Sequence, residues 1–442
     1  MTAKRRRRPK TTPVPAKVTK PAKDGDSPQS SGPAGARALP RPTDALMLDV
    51  AAEGGRGLNN FDVLRLFAAG LVVFTHTFQV VGKPEPIPGA LGMDYGQFGV
   101  LIFFSISGFL VARSWSYDPK VLSFAMRRAL RLLPALIVSL LLTALVLGPL
   151  LSTVSFSAYM QDVKTKYYVL FHLLMQQDLQ LPGVFQDIPY KGIVNAPLWT
   201  LQLEVKAYVL IAIIGVLGFF RRGPWWILIL AVLCGLFLVN PIRNEIPLAN
   251  QLVTLTQDLQ IGDVWLKEAR TGQLFFIFQP FAAFVIGAML YRIRSWVPLS
   301  WWLFGLAVGA WLATVFFGDP QASRIAITWV MPYIVLVLAY RTHRYFGLPS
   351  RMGDYSYGIY IYAFPIQQAV VQLFDVTSPW LGLVYSVPVT AVLAVLSWHF
   401  IEAPSLTLKS GLAGYLDREA DSARAHPAGR EQLAPAGAPA SG

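Results

Sequence analysis

Long runs of apolar residues recur through most of the chain and determine its predicted architecture. Runs of about 18 to 22 residues lie between residues 61 and 402, and an α-helix of this length crosses the hydrocarbon core of a bilayer. The sequence therefore predicts an all-α, polytopic membrane helix bundle of about ten transmembrane helices. The predicted helices lie near 61–81, 97–115, 131–151, 198–219, 224–240, 274–291, 299–317, 323–341, 355–374 and 379–402.

The two ends of the chain lack this pattern. Residues 1–56 are rich in Pro, Lys, Arg, Ser and Gly, and residues 406–442 are polar and rich in Ala and Pro. Segments of this composition bury too little apolar surface to fold, so we predict disordered cytoplasmic tails around a membrane domain at 57–405. No hydrophobic signal-peptide core lies near Met1. The basic run at 5–8 is expected beside anionic lipid headgroups, with a purely solvated run as the alternative.

Composition supports membrane insertion and argues against several other classes. Of the 442 residues, 54% are hydrophobic and 13% aromatic, and the mean hydropathy of +0.46 exceeds the usual range of soluble domains. The net charge of +13 raises the alternative of nucleic-acid binding, but membrane proteins also concentrate Lys and Arg on cytoplasmic loops. The single cysteine, Cys234, allows no disulfide framework or Cys/His metal site. We expect membrane lipid as a partner, and neither nucleic acid nor a metal ion.

The distribution of basic residues predicts one orientation. The short turns near 318–322 and 375–379 carry no Lys or Arg, whereas the connections on the other side are basic. The positive-inside rule then predicts a multi-pass protein of the inner membrane with both termini in the cytoplasm. Two longer connections, near 152–197 and 241–273, fall on the outer side. Each is interpreted either as a substrate rim or as a plain connector.

One histidine and one arginine lie in the first predicted helix. Arg65 precedes His76 by eleven residues, so at about 100° per residue both side chains share one helix face, about 16 Å apart along the axis. Ionisable groups at membrane depth are costly and usually face a protein interior or a water-filled cavity. His76 is a candidate general base, with an interhelical hydrogen bond as its alternative role. Arg65 is a candidate binding residue, with snorkelling to the headgroups as the alternative.

A second titratable group lies near the start of the fourth predicted helix. This helix runs opposite to the first, so Glu204 is expected in the outer half of the membrane, at a depth similar to that of His76. Tyr208 follows by four residues and shares its helix face. The sequence therefore predicts one polar cavity shared by His76 and Glu204.

Two arginines near the start of the third predicted helix lie on the inner side. Arg128 and Arg131 are three residues apart and share a face. Guanidinium groups bind phosphate oxygens bidentately, and the alternative role is positive-inside anchoring. The inner arginines and His76 are about 16 Å apart, judged from helix rise, which is similar to the reach of a pantetheine arm. Acyl-CoA, expected to be acetyl-CoA, would place its phosphates among the arginines and its thioester beside His76.

Six short motifs follow one another along the predicted helices. They are an Arg-x10-His pair at 65 and 76, FFSISGFL at 103–110, Arg-x-x-Arg at 128–131, LWTLQLE at 198–204, SYGIY at 356–360 and FIEAP at 400–404. Together they resemble the bacterial acyltransferase 3 family of integral membrane proteins. Each motif alone is mostly apolar, so the resemblance depends on their joint presence in this order.

The resemblance implies a fold, a reaction and a set of site residues. It implies ten core helices and transfer of an acyl group from cytoplasmic acyl-CoA to a sugar hydroxyl. Carried over residue by residue, it implies two catalytic residues, His76 and Glu204. The expected acceptor is a glycan, a glycolipid or a glycosylated metabolite. The residues expected to bind acyl-CoA or the acceptor lie in or beside these motifs: Arg65, Arg128, Arg131, Tyr208 and Trp199.

Two positions depart from the family's pattern. The family has a second carboxylate directly after the position of Glu204, where this sequence has Val205. It often has a histidine before the proline of the ninth helix, where this sequence has Phe364 before Pro365. The secondary catalytic roles of these two positions therefore do not carry over.

Two further interpretations concern the same helices. Ser105, Ser107 and Gly108 are interpreted as a close helix contact rather than as a source of a nucleophile. A transporter or flippase of a lipid-linked sugar would use the polar cavity without covalent chemistry. The chain shows no internal repeat and no matched pair of broken helices, which weakens this alternative.

Overall fold

The computed structural model describes residues 46–53, 59–86, 91–174, 180–221, 274–342 and 353–408. The predicted helix at 224–240, the connection at 241–273 and most of both predicted tails lie outside these residues. Nine of the ten predicted spans coincide with a helix in the described part of the chain. Six of these helices are long and apolar enough to cross a membrane, judged by length and composition. The prediction of a membrane helix bundle is confirmed.

The helices follow one another along the chain, and we number them in that order. They are α1 (Leu48–Glu53), α2 (Phe61–Val80), α3 (Tyr95–Tyr117), α4 (Val121–Leu151), α5 (Phe156–Gln161), α6 (Val163–Leu173), α7 (Leu198–Val216), α8 (Leu274–Arg292), α9 (Trp301–Phe317), α10 (Pro320–Arg341), α11 (Ser356–Phe374) and α12 (Pro379–Leu408).

Helix α4 begins ten residues before the span that the apolar run predicts. Its first turns carry Arg127, Arg128 and Arg131. Because these residues are charged, the start of the helix is not part of the apolar run from which the span was predicted. Near its other end, residues Thr143–Leu147 form a π-helical turn. The early start places the arginines on a regular helix, so the spacing of Arg128 and Arg131 puts both on one face.

Part of the predicted N-terminal tail is folded. Residues Leu46–Met47 form strand β1, which pairs antiparallel with strand β2 at Pro298–Leu299. Helix α1 follows directly, and the side chain of Leu48 is fully buried. The prediction of disorder through residue 56 is therefore wrong for 46–53. A few apolar residues suffice here because their partner strand is already held by α10, where the hydroxyl of Tyr333 donates to the carbonyl oxygen of Pro298 at 2.7 Å.

Helix α3 lies at the centre of the bundle and packs against α2 on one side and α8 on the other. Glycines permit these close approaches: Gly99 lies against the backbone of Ala68 in α2, and Gly108 lies against the backbone of Phe284 in α8. Helices α2 and α3 are antiparallel, because the ring of Phe109 near the end of α3 packs on that of Phe61 at the start of α2. The interpretation of Gly108 as a close helix contact is confirmed.

Replacing Gly108 with alanine is expected to destabilise the bundle. A Cβ atom at this position would overlap the carbonyl oxygen of Phe284, and backbone cannot move aside as a flexible side chain can. We expect a loss of about 1–3 kcal/mol in the free energy of unfolding, measured by thermal denaturation in detergent. The matched control is Gly70→Ala in α2, where a Cβ meets nothing within 4 Å. Equal melting temperatures for the two variants would contradict the close contact.

The segment before α7 enters the bundle instead of forming a simple surface loop. The side-chain amide of Gln368, in the middle of α11, donates to the carbonyl oxygens of Tyr190 and Ile193, both at 2.8 Å. The amide of Asn195 donates to the carbonyl oxygen of Ile361 at 2.9 Å. The predicted outer connection at 152–197 therefore contains two short helices, α5 and α6, and a segment that packs against the middle of α11.

Candidate active site

A cavity of about 110 Å³ lies among α2, α3, α4, α7 and α11. Five of the seven predicted site residues line it: Arg65, Arg128, Arg131, Glu204 and Tyr208. His76 and Trp199 do not line this cavity. We call the end of the bundle that carries the three arginines the basic end, and the end that carries His76 the histidine end.

Two of the cavity arginines are paired with carboxylates. Arg65 lies 3.3 Å from Oδ2 of Asp354 and 3.4 Å from Oδ1 of Asp62. Arg131 donates to the same Oδ2 of Asp354 and lies 3.3 Å from Oε2 of Glu402. Asp354 thus bridges helices α2 and α4 from the residues just before α11. Much of the positive charge of these two arginines is balanced inside the protein.

Asp354 is a site residue that the sequence analysis missed. Its Oδ1 accepts hydrogen bonds from the backbone N–H and the hydroxyl of Ser356, while its Oδ2 accepts from the two arginines. Burial alone would raise the pKa of Asp354, but Arg131, Arg65 and the hydrogen bonds from Ser356 together hold the pKa below its ordinary value. The carboxylate is therefore ionised and fixes the positions of both guanidinium groups.

Replacing Asp354 with asparagine is expected to cost about 3 kcal/mol in the free energy of unfolding, because it leaves buried arginine charge without its partner. The sign of the pH dependence follows from the lowered pKa: the stabilisation is present above the ordinary value of 3.8 and is lost as pH falls below it. The measurement is thermal denaturation of both proteins in detergent. The matched control is Asp62→Asn, whose side chain also contacts Arg65 but is 60% exposed. A larger loss in the control would contradict the bridging role of Asp354.

Arg128 differs from the other two arginines. Its guanidinium lies over the rings of Tyr208 and Phe124, at 5.6 and 6.0 Å from their centroids. Within the described residues it makes no ion pair with a carboxylate, and its Nε atom is buried without a hydrogen-bond partner. An unneutralised cation beside a cavity suits an anionic ligand. Arg128 is therefore the arginine most available to bind a phosphate.

Glu204 lies at the basic end. Its Oε1 accepts a hydrogen bond from the hydroxyl of Ser107 at 2.9 Å and another from the hydroxyl of Tyr208. Ser107 belongs to the part of α3 that packs against the first turn of α2, whereas His76 is near the last turn of α2. The prediction that His76 and Glu204 share one cavity at one depth is therefore wrong. Ser107, interpreted from sequence as a packing residue, also lines the cavity.

The depth of Glu204 follows from the segment before α7. This helix begins inside the bundle, since Asn195, three residues before it, is already hydrogen-bonded to the second turn of α11. Five residues further on, Thr200 hydrogen-bonds the hydroxyl of Tyr360, and Glu204 lies one turn beyond Thr200. An apolar run does not reveal whether a helix starts at the membrane surface or within the protein.

His76 lies beyond the cavity, towards the histidine end. Its Nδ1 atom is 2.9 Å from Oε1 of Gln79, one turn further along α2. Its ring meets that of Phe364 edge to face, with centroids 5.1 Å apart. Phe364 occupies the position where the acyltransferase 3 pattern often has a histidine. Trp199 is partly buried against the hydrophobic core at the start of α7.

Aromatic side chains of α11 connect the cavity with His76. Tyr360 lines the cavity and packs against Phe103, with ring centroids 5.7 Å apart. Phe364, the neighbour of His76, follows Tyr360 by four residues on the same helix face, which is a step of about 6 Å along the axis. The aromatic wall of the cavity and the histidine are therefore about one helical turn apart.

No group of three or more His, Cys, Asp or Glu residues in the described ranges is arranged to hold a metal ion. The chemical groups in or near the cavity are the imidazole of His76, the Arg128 guanidinium, which has no carboxylate partner in the described residues, the Glu204 carboxylate and several hydroxyls. This set suits proton transfer. It also suits a ligand that carries phosphate groups at one end and an uncharged chain along the cavity.

The chain is similar to a known protein family and to two named proteins. Residues 58–399 match the acyltransferase 3 family, described as "Acyltransferase domain". The chain is 29% identical over 363 residues to the "O-acetyl transferase" of Shigella phage Sf6, covering 80% of this chain and 97% of the relative. It is 28% identical over 368 residues to "Nodulation protein 10" of Rhizobium leguminosarum bv. viciae, covering 80% of this chain and 95% of the relative. No solved structure matches the chain significantly.

Proposed function

Because this chain belongs to the acyltransferase 3 family and is a membrane O-acyltransferase, we propose that its donor is acyl-CoA on the cytoplasmic side. The acyl group is acetyl or another short chain, and the acceptor is a hydroxyl of a glycan, a glycolipid or a glycosylated metabolite. The observation that carries this proposal is the cavity at the basic end, where Arg128 has no carboxylate partner in the described residues and Arg65 and Arg131 lie beside it.

The proposal places the donor along the axis of the bundle. The CoA phosphates bind at Arg128, with Arg65 and Arg131 contributing the remaining positive potential. The pantetheine arm then extends past Tyr360 towards His76. The reach of this arm is similar to the distance of about 16 Å that separates Arg65 and His76 along α2. Glu204 and Tyr208 lie at the phosphate end, so their role in this proposal is to orient the donor and Arg128, not to act beside His76.

The orientation of the protein follows from the same charges. In this proposal the basic end faces the cytoplasm of the inner membrane, and both termini lie on that side. Basic residues near the ends of helices support this arrangement: Arg113, Lys120, Arg292, Arg294 and Arg341. The donor then reaches the cavity directly from the compartment where acyl-CoA is made.

The reaction at His76 is a balanced acyl transfer. The acceptor oxygen attacks the thioester carbonyl carbon while His76 takes the hydroxyl proton as general base. The carbon–sulfur bond then breaks, and the proton passes to the departing CoA thiolate. The products are an O-acyl ester and a free CoA thiol, so the reaction requires no oxidant or reductant.

The experiment supplies purified protein with acetyl-CoA labelled in its acetyl group, together with glycans and lipids extracted from the source cells. Released CoA thiol and alkali-labile label in the extract are both measured. Equal amounts of thiol and ester-linked label support the proposal. In reconstituted vesicles, movement of a lipid-linked sugar with no release of CoA would replace it with the flippase alternative.

A further inference from the structure

The hydrogen bond between His76 and Gln79 determines which nitrogen of the imidazole carries hydrogen. The Oε1 atom of Gln79 is an amide oxygen, which only accepts hydrogen bonds, and it lies 2.9 Å from Nδ1 of His76. In this arrangement Nδ1 is the donor and carries the ring hydrogen. A neutral imidazole carries one ring hydrogen, so the lone pair that can accept a proton is on Nε2.

The other neighbours of His76 described below do not determine which ring nitrogen carries the hydrogen. Helix α11 contributes the ring of Phe364, which has no hydrogen-bonding group. The segment before α7 contributes Tyr190, whose ring contacts Phe364 at 5.6 Å between centroids. Glu85 is hydrogen-bonded to Thr75, the residue before His76. In the described ranges, no carboxylate is hydrogen-bonded or ion-paired to His76.

We propose that Gln79 is a positioning residue for acyl transfer, which holds His76 in the tautomer with Nε2 free to accept the proton of the acceptor hydroxyl. This inference rests on the proposed function, because it needs His76 as the base. Once Nε2 has taken the proton, Nδ1–H continues to donate to Gln79. The same hydrogen bond therefore orients the ring before and after the transfer, and the proton leaves from Nε2 to the CoA thiolate.

Two substitutions separate this role from a structural one. Gln79→Met keeps the length of the side chain but removes the acceptor, so both tautomers become populated. We expect the turnover of labelled acetyl transfer to fall about tenfold, the loss expected for one neutral hydrogen bond, with little change in the KM for acetyl-CoA. Gln79→Glu keeps an acceptor and adds a negative charge that favours imidazolium. We expect it to retain more activity than Gln79→Met and to move the acidic limb of the pH–rate profile upward by about one pH unit.

The control is Gln367→Met. Gln367 also bonds to α2, donating to the carbonyl oxygen of Val73 at 2.7 Å and to the hydroxyl of Thr77 at 2.6 Å, but in the described residues it is not hydrogen-bonded to the imidazole of His76. We expect this variant to be less stable, with an unchanged pH–rate profile. A merely structural role for Gln79 would make the two methionine variants alike.

The tautomer can also be observed directly. In protein labelled with ¹⁵N-histidine, the His76 signals, assigned by their loss in His76→Ala, should show a protonated Nδ1 in the wild type and a mixture in Gln79→Met. Unchanged turnover, pH profile and tautomer in Gln79→Met would overturn the inference and leave the proposed function intact. Full activity in His76→Ala would instead remove the proposed function.

Discussion

Acyl transfer by the His76→Ala variant is expected to fall by about 10²- to 10⁴-fold, the usual contribution of a positioned general base. The imidazole is the titratable group of α2 that lies about one helical turn beyond the cavity, and it is already held by Gln79. Binding of CoA should change little, because the phosphates are proposed to bind at the other end of the cavity. Turnover is measured with labelled acetyl-CoA, and CoA affinity by calorimetry.

The matched control for this substitution is His399→Ala. His399 is exposed in the last third of α12, where its Nε2 lies 3.4 Å from the hydroxyl of Tyr355. It has no place in the proposed reaction, so its removal should leave turnover unchanged. Wild-type turnover in His76→Ala would exclude His76 as the base. Weakened CoA binding without loss of turnover would place the histidine in donor binding instead.

Substitution by alanine is expected to give a different defect at each of two arginines. Loss of Arg128 should weaken CoA binding, and loss of Arg131 should lower stability. Without Arg128, CoA should bind about 10- to 100-fold more weakly, the loss expected for a hydrogen bond to a charged group, while the protein stays folded. Without Arg131, the buried carboxylates of Asp354 and Glu402 lose a partner. The free energy of unfolding should then fall by about 3–5 kcal/mol.

The two arginines lie on one face of α4 and line one cavity, so each variant is a control for the other. Calorimetric titration with CoA and thermal denaturation are carried out on both proteins. Tight CoA binding by Arg128→Ala would show that the phosphates bind elsewhere. A stable Arg131→Ala protein would show that its two ion pairs add nothing to the fold.

Much of the bundle is predictable from the sequence because an apolar run inside a bilayer forms a helix. Within hydrocarbon every backbone polar group must be bonded inside the segment, so a run of sufficient length becomes a helix. Helix α4 shows the limit of this rule, since Arg127, Arg128 and Arg131 hide its first turns. Strand β1 was missed for a different reason: its partner, Pro298–Leu299, is far away in the chain.

The candidate site is predictable where residues of one helix share a face. The spacing of Arg128 and Arg131 places both on the cavity side of α4, as predicted. Asp354 was missed because it lies in a short connection, and its partners come from two other helices. The prediction for the depth of Glu204 is wrong because α7 begins within the protein. Local spacing gives the face of a helix, but not its depth or its partners.

The measurement that tests the account most directly is a cryo-electron microscopy structure with a non-transferable acetyl-CoA analogue. The account predicts phosphate density within hydrogen-bonding distance of Arg128 and the acetyl carbonyl beside Nε2 of His76. An analogue bound outside the cavity would contradict it. So would an acetyl group that ends at the basic end, away from His76.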